Sequence, residues 1–131
     1  MSEGGKKVLI CDDEPDVRDF VEAVLEDENV ELIFAVNGEE GVDKAKAEKP
    51  DLIILDVQMP KKDGFQVFSE LRGGADTNTI PIIMLTGVGQ ATGIGFSQKE
   101  MGAYLGSEPE AYIEKPIDPD KLLGAAHKIL G

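Results

Sequence analysis

Polar side chains that could carry out chemistry stand where short apolar runs of this sequence end. They are three carboxylates, one hydroxyl and one ammonium group: Asp12, Asp13, Asp56, Thr86 and Lys115. A carboxylate cluster suits a small, hard cation such as Mg²⁺, whose other positions are filled by water and phosphate oxygens. A hydroxyl and a lysine suit a phosphoryl group, because they supply a hydrogen bond and a point charge. These residue types predict a magnesium-dependent phosphoryl site, if the fold brings them together.

Asp56 is the residue that we expect to react with the phosphoryl group. It closes the apolar run 52–55, whose shortness and branched side chains favour a fully buried strand over a helix. A carboxylate in such a place can act as a nucleophile and form an acyl phosphate. Three carboxylates ~5 Å apart, at an effective dielectric of ~20, would repel by roughly 3 kcal/mol per pair. A bound cation would remove that repulsion.

The predicted elements alternate along the chain, which explains how distant residues could meet. Strands are predicted at residues 8–11, 32–36, 52–56, 80–86 and 111–114. Helices are predicted from Pro15, over Gly38–Glu48, around 65–71 and 96–103, and from Pro119 onwards. This alternation implies an α/β fold with a five-stranded parallel sheet and helices on both faces. The carboxyl ends of parallel strands share one edge, where ligands bind, so the polar side chains can share one crevice.

Composition narrows the class of partner. The chain has 131 residues and a formal net charge of −13, whereas phosphate backbones and anionic membranes require clustered basic residues. No apolar run approaches the ~20 residues of a membrane helix, and the N-terminus lacks the core of a signal peptide. A single cysteine fits a reducing compartment. We expect a soluble, cytoplasmic domain over residues 7–131, preceded by a flexible N-terminus at 1–6.

The motifs resemble the receiver domain of bacterial two-component response regulators, over about residues 7–130. The resemblance rests on the type and order of seven residues: Asp12, Asp13, Asp56, Gly64, Thr86, Lys115 and Pro116. It implies a doubly wound, flavodoxin-like sheet with strand order 2-1-3-4-5. It also implies a function, the transfer of a phosphoryl group to Asp56 from a histidine of a sensor kinase or of a histidine phosphotransfer protein.

The same resemblance implies roles for the remaining site residues. Mg²⁺ would be held by the side chains of Asp12, Asp13 and Asp56 and by the backbone carbonyl of Gln58, with Asp12 acting largely through water. Lys115 and Thr86 would contact the phosphoryl group. Thr86 and Tyr112 would form the switch pair, in which the hydroxyl turns toward the phosphoryl group and the ring moves inward.

The resemblance further predicts the surface that passes on the signal. This is the face formed by the predicted fourth helix, the fifth strand and the fifth helix, where a downstream protein effector or a second copy of the chain would bind. Residues 104–109 interrupt the family pattern next to this face and are interpreted as an insertion. Tyr104 is therefore an alternative switch ring, although Tyr112, three residues before Lys115, is preferred.

Two other functions fit some of these residues. Asp56 could be the nucleophile of a phosphohydrolase, but position 58 holds Gln where enzymes resembling haloacid dehalogenases carry a second aspartate. The chain could instead be a receiver-like module that binds partners without being phosphorylated, which the complete acidic set argues against. We expect no enzyme activity beyond self-phosphorylation and self-dephosphorylation. The glycines at 87–93 do not match a nucleotide-binding loop, because the third glycine falls one position late.

Each residue, taken alone, has a simpler interpretation. Asp12 could cap a helix, Thr86 could be an ordinary strand residue, and Tyr112 could be a core aromatic. Cys11 is expected to fill the core. His127 is expected at the surface or its boundary rather than as a phosphodonor. Only the joint occurrence of the acidic residues with Lys115 favours a phosphoryl site.

Overall fold

The computed structural model describes residues 6–26, 28–57, 64–86, 110–115 and 117–130. The strands are β1 (Lys6–Cys11), β2 (Val30–Ala35), β3 (Leu52–Asp56), β4 (Ile82–Thr86) and β5 (Ala111–Glu114). The helices within these ranges are α1 (Pro15–Leu25), α2 (Gly38–Glu48), α3 (Gly64–Gly73) and α4 (Pro119–Leu130). Several sequence predictions lie outside the described residues: Gln58, the fourth helix at 96–103, Tyr104 and the insertion at 104–109. The helix that the sequence predicted as the fifth, from Pro119 onwards, is therefore labelled α4 here.

The five strands form one parallel sheet with the order β2-β1-β3-β4-β5. The central strand, β3, is buried at every position, as expected of a parallel strand that is covered on both faces. The predicted α/β class, the strand order and the doubly wound arrangement are confirmed. Because all strands run the same way, their carboxyl ends lie along one edge of the sheet.

An apolar core lies on each face of the sheet. On one face, α2 and α3 pack against strand residues such as Leu9 and Met84. Phe68 of α3 is fully buried in this core. On the other face, α1 and α4 contribute Leu25 and Leu122 to the second core. These cores pack against the strands from both sides and so fix the strand ends relative to one another. Among the described helices, none has the length and apolar character needed to span a membrane.

The junction between β2 and α2 is set by a reciprocal cap. Asn37 Oδ1 accepts the Glu40 N–H at 2.8 Å, and Glu40 Oε1 accepts the Val36 N–H at 2.7 Å. This is close to a capping box, in which two backbone donors at a helix start are satisfied by side chains. Val36 was predicted to belong to the strand, but its N–H bonds to the helix cap and β2 ends at Ala35.

Two further differences from the predicted elements have physical causes. β4 begins at Ile82 rather than at residue 80, because Pro81 has no N–H for the ladder, although its carbonyl accepts the Ile53 N–H at 3.0 Å. Phe20 was predicted on the inward face of α1, but its side chain is 36% exposed. Val21 and Leu25 supply the fully buried contacts of that helix.

Candidate functional site

Three carboxylates meet at the carboxyl edge of the sheet. Asp56 is the last residue of β3, and Asp12 follows β1, where its N–H extends the ladder by bonding to Ala35 O at 3.0 Å. Asp12 and Asp56 are buried and Asp13 is exposed. Each can offer a ligand atom such that all three atoms lie within 4.8 Å of one another. Asp12 and Asp56 are 44 positions apart in the sequence, and they come together because β1 and β3 are neighbouring strands.

Lys115 brings a positive charge to the same place. Its Nζ lies 3.0 Å from Asp56 Oδ1, 3.3 Å from Asp12 Oδ2 and 3.4 Å from Glu14 Oε1. Its backbone N–H donates to Thr86 O at 2.7 Å, which aligns the end of β5 with the end of β4. One ammonium group therefore serves two buried carboxylates and one exposed carboxylate.

Burial and charge act against each other in this cluster. Burial raises the pKa of the Asp12 carboxyl, while the N–H of Glu14 and the ammonium of Lys115 oppose that rise. Burial also disfavours the charged form of Lys115, but its bonds to Asp56 and Asp12 outweigh burial and raise its pKa above 10.5. Lys115 is therefore charged at neutral pH.

Each carboxylate oxygen of Asp12 has its own partner. Oδ1 accepts the Glu14 N–H at 2.9 Å, a local turn that leads into α1, and Oδ2 bonds to Lys115. The guanidinium of Arg18 also donates to the Asp12 carbonyl at 2.8 Å. The interpretation of Asp12 as a helix cap is wrong, because the N-cap of α1 is Glu14, which has no side-chain cap bond, and Asp12 forms only the turn before the helix. Sequence reasoning missed Glu14 and Arg18, and their acidic and basic types next to Asp12-Asp13 were the available signal.

Gly64 fits closely against the backbone of the reactive strand. A Cβ atom at this position would lie 2.4 Å from Asp56 O and 2.7 Å from Val57 Cα. The Gly64 N–H donates to Val57 O at 2.7 Å. Only glycine allows this approach without moving backbone atoms, so α3 begins directly behind Asp56.

The two predicted switch residues lie on neighbouring strands. Thr86 is buried at the last position of β4, and Tyr112 pairs with Met84 across β4 and β5. Side chains alternate along a strand, so Thr86, two residues after Met84, belongs to the same sheet face as Tyr112. The ring of Tyr112 is half-buried against the core that α2 and α3 cover.

The donor set fits a hard divalent cation. All three groups are oxygen donors, and Mg²⁺ in proteins takes one or two carboxylates and keeps several waters. The exposure of Asp13 leaves the cluster open to solvent on one side. Cys11, although adjacent, is unsuited to be a ligand, because burial, followed by the charges of Asp12 and Asp56, raises its pKa to about 12.

Comparison with known proteins identifies the family to which this fold and this acidic edge belong. A family model described as the response regulator receiver domain matches residues 8–127. The chain belongs to this family. It is 35% identical over 124 residues to protein PilH of Pseudomonas aeruginosa, covering 95% of the chain and 97% of PilH.

Solved structures share the same fold. Chemotaxis protein CheY4 of Vibrio cholerae superimposes with a TM-score of 0.79 at 29% identity, covering 96% of this chain and 99% of that one. The receiver domain of the sensor histidine kinase PA1611 from Pseudomonas aeruginosa, with magnesium coordinated in its active-site cleft, has a TM-score of 0.81 at 23% identity, covering 98% and 99%. Several other curated relatives are longer, and the chain spans about half of their length.

Proposed function

We propose that this chain is a phosphorylation-dependent signalling switch, in which Asp56 accepts a phosphoryl group from a histidine of a sensor kinase or of a histidine phosphotransfer protein. The contact of 3.0 Å between Lys115 Nζ and Asp56 Oδ1 is the observation that carries this proposal. An incoming phosphoryl group is anionic, so a carboxylate nucleophile needs a positive charge beside it. Membership of the receiver family supports the same assignment.

The transfer itself makes one bond and breaks one. An oxygen of Asp56 attacks the phosphorus, a P–O bond forms as the P–N bond breaks, and the released electron pair stays on the imidazole nitrogen, which takes up a proton. Such transfers leave little covalent work for other groups, so these contribute by positioning and by stabilising charge. Lys115 would neutralise negative charge on the transferring oxygens. We expect no enzymatic activity beyond self-phosphorylation and self-dephosphorylation.

The same carboxylates would hold Mg²⁺. When bound, the ion would offset the charge of the carboxylates and of the phosphoryl oxygens. Both oxygens of Asp12 already have partners in Glu14 and Lys115, which favours contact with the ion through water. Asp13 and Asp56 would then be the direct side-chain ligands. The backbone carbonyl of Gln58, predicted from the family resemblance, would be the remaining ligand from the protein. The magnesium reported in the PA1611 receiver domain supports this choice of metal.

The phosphoryl group would be sensed through Thr86 and Tyr112. Their common sheet face and adjacent strands support a coupled movement, in which the hydroxyl of Thr86 bonds the phosphoryl group and the ring of Tyr112 moves inward. Phosphorylation adds about 1.5 to 2 negative charges, enough to bias a two-state element of this kind. The change would reach a downstream protein effector, or a second copy of the chain, through the surface that includes β5 and α4.

Incubation with acetyl phosphate and Mg²⁺, followed by intact-mass measurement, tests the proposal. The wild-type chain should gain the mass of one phosphoryl group, and Asp56→Asn should gain none. Asp43→Asn is the matched control, because Asp43 is an exposed aspartate of α2, away from the carboxyl edge, and should behave as wild type.

Two results would contradict the proposal. An unmodified wild-type chain, or equal modification of Asp56→Asn, would show that Asp56 is not the acceptor. Repeated turnover of small phosphomonoesters would instead favour the phosphohydrolase. A transfer assay from a phosphorylated histidine kinase then tests the class of donor.

A further inference from the structure

A charged contact lies at the opposite edge of the sheet from the three carboxylates. It joins the end of α3 to the beginnings of β4 and β5. Glu110 Oε1 accepts a hydrogen bond from Arg72 at 2.9 Å and a second from the Ile82 N–H at 2.7 Å. The Glu110 N–H in turn donates to Ile82 O at 2.9 Å. Glu110 is thus bonded to one residue of β4 through both its backbone and its side chain.

Arg72 is itself held firmly. A second nitrogen of its guanidinium donates to Ile80 O at 2.8 Å, and the group stacks over the Phe68 ring with 4.8 Å between Cζ and the ring centroid. The Arg72 side chain is 15% exposed and that of Glu110 is 40% exposed, so solvent screens the ion pair in part, and the fixed position of Arg72 matters more than the charge alone. Arg72 therefore offers Glu110 a fixed partner, which a mobile surface lysine would not.

This contact sets the alignment of a very short strand. β5 has four residues, and its register against β4 places Ala111 opposite Ile83 and Glu114 opposite Thr86. A slip of one residue would move Lys115 by about 3.3 Å. Its Nζ, now 3.0 Å from Asp56 Oδ1, would then lose that contact.

We propose that Glu110 and Arg72 are positioning residues for phosphoryl transfer. By fixing the register of β5 at one edge of the sheet, they place Lys115 on Asp56 at the other edge. The helix α3 runs between the two edges of the sheet. It begins at Gly64, against the backbone of Asp56, and carries Arg72 in its last turn. This inference rests on the proposed function, because its consequence is a rate of phosphoryl transfer.

A double-mutant cycle between Glu110→Ala and Lys115→Ala tests the inference. The rate of modification by acetyl phosphate and Mg²⁺ is measured for each variant by intact mass. Glu110→Ala should slow the wild-type chain about tenfold, because a misplacement of ~1 Å can cost about 100-fold and the remaining ladder bonds of β5 keep part of the alignment. In the Lys115→Ala background it should change the rate less than about twofold, because residues that act through one group are not additive.

Two control variants separate positioning from general damage. Glu48→Ala removes a surface ion pair, that with Lys7 at 3.3 Å, without touching β5, and should leave the rate unchanged. Glu110→Gln keeps an oxygen for the Ile82 N–H and should recover most of the rate. Equal slowing by Glu110→Ala in both Lys115 backgrounds, or no slowing in either, would overturn the inference.

Amide hydrogen exchange provides a readout that does not depend on phosphorylation. The Lys115 N–H, bonded to Thr86 O at 2.7 Å, should exchange about tenfold faster in Glu110→Ala, because local opening of β5 becomes easier. Unchanged exchange would contradict the inference even if no chain accepted phosphate. A wild-type chain that accepts no phosphate, combined with faster exchange in Glu110→Ala, would refute the proposed function while retaining the alignment of β5.

Discussion

At the scale of single residues, the described part of the site holds more negative charge than Lys115 can balance. The buried carboxylates of Asp12 and Asp56 both contact the Lys115 ammonium, and Asp13 offers a third carboxylate oxygen within 4.8 Å of oxygens from the other two. Burial raises the pKa of Asp12 more than the Glu14 N–H and the Lys115 ammonium lower it. This imbalance suits a site that receives a divalent cation and an anion together, since the cation offsets both the carboxylates and the incoming group.

Replacement of Gly64 by alanine tests how closely α3 must approach the reactive strand. The new Cβ would lie 2.4 Å from Asp56 O, a backbone atom that cannot move without shifting the nucleophile. We expect a loss of about 1–3 kcal/mol in the free energy of unfolding, as for other overpacked sites, and slower modification of Asp56. Urea denaturation and the acetyl phosphate assay measure the two effects.

Gly124→Ala is the matched control for that experiment. Gly124 is an exposed residue within α4, and a Cβ there would meet nothing within 4 Å. Alanine should therefore stabilise the chain by about 0.5–1 kcal/mol, because glycine costs conformational entropy in a helix. Equal effects of the two substitutions would show that close approach at Gly64 has no energetic importance.

The sequence alone predicted that the site residues lie close together, because this depends only on where the strands end. Asp56 and Lys115 each follow a short apolar run, and a parallel sheet brings such positions to one edge. Glu14 could not be predicted as a partner of Lys115, because that contact depends on how α1 leaves β1 and on the rotamers of both side chains. The same holds for Arg18, whose guanidinium bonds to a backbone carbonyl rather than to an acidic partner.

At the scale of the elements, the cap of α2 introduces a pH dependence. The bond that Glu40 accepts from the Val36 N–H, helped by Lys44 and opposed by burial, lowers the pKa of Glu40 below 4.5. A carboxyl whose pKa is lower in the folded chain stabilises the fold at pH values above its ordinary pKa. That contribution is lost as the pH falls through the lowered value.

Glu40→Gln should reveal this contribution. Glutamine can still accept the Val36 N–H but carries no charge, so the variant should be less stable than wild type above pH 5. The difference should stay near about 0.5–1 kcal/mol, because the Glu40 side chain is 37% exposed and screened by solvent. It should shrink toward zero as the pH falls well below 4.5, as followed by urea denaturation across pH.

Glu39→Gln separates the cap from the general effect of charge in the first turn. Glu39 also lies in the first turn of α2, so both substitutions remove one negative charge near the positive end of the helix dipole. A stability difference of equal size and pH dependence in the two variants would contradict a special role for the bond to Val36.

Boundaries of elements were harder to predict than their existence. The run from residue 32 to 36 was correctly predicted as a strand, yet β2 extends from Val30 to Ala35. Its start depends on pairing with β1, where Val30 lies opposite Lys6. Its end depends on the α2 cap. Both are tertiary interactions that hydrophobic patterning within the strand does not encode.

At the scale of the whole molecule, the excess of acidic residues opposes folding. The chain carries a formal net charge of −13, and compaction brings these charges together. Monovalent salt should therefore raise the melting temperature by screening, for a reason unrelated to the site. Mg²⁺ should add a second, specific stabilisation, because an ion that binds only the folded chain contributes about 2.7 kcal/mol at a concentration of 100 Kd.

Thermal unfolding at constant ionic strength separates these two effects. Replacing NaCl by MgCl₂ should raise the melting temperature of wild type, because only the folded chain gathers Asp12, Asp13 and Asp56 around one point. Asp13→Asn should lose most of this increment, since it removes an exposed ligand without leaving a buried gap. Asp43→Asn, which makes the same change of charge on the exposed side of α2, should keep it. An equal increment in both variants would mean that Mg²⁺ acts only on the overall charge, and the carboxyl edge of the sheet would then not be a metal site.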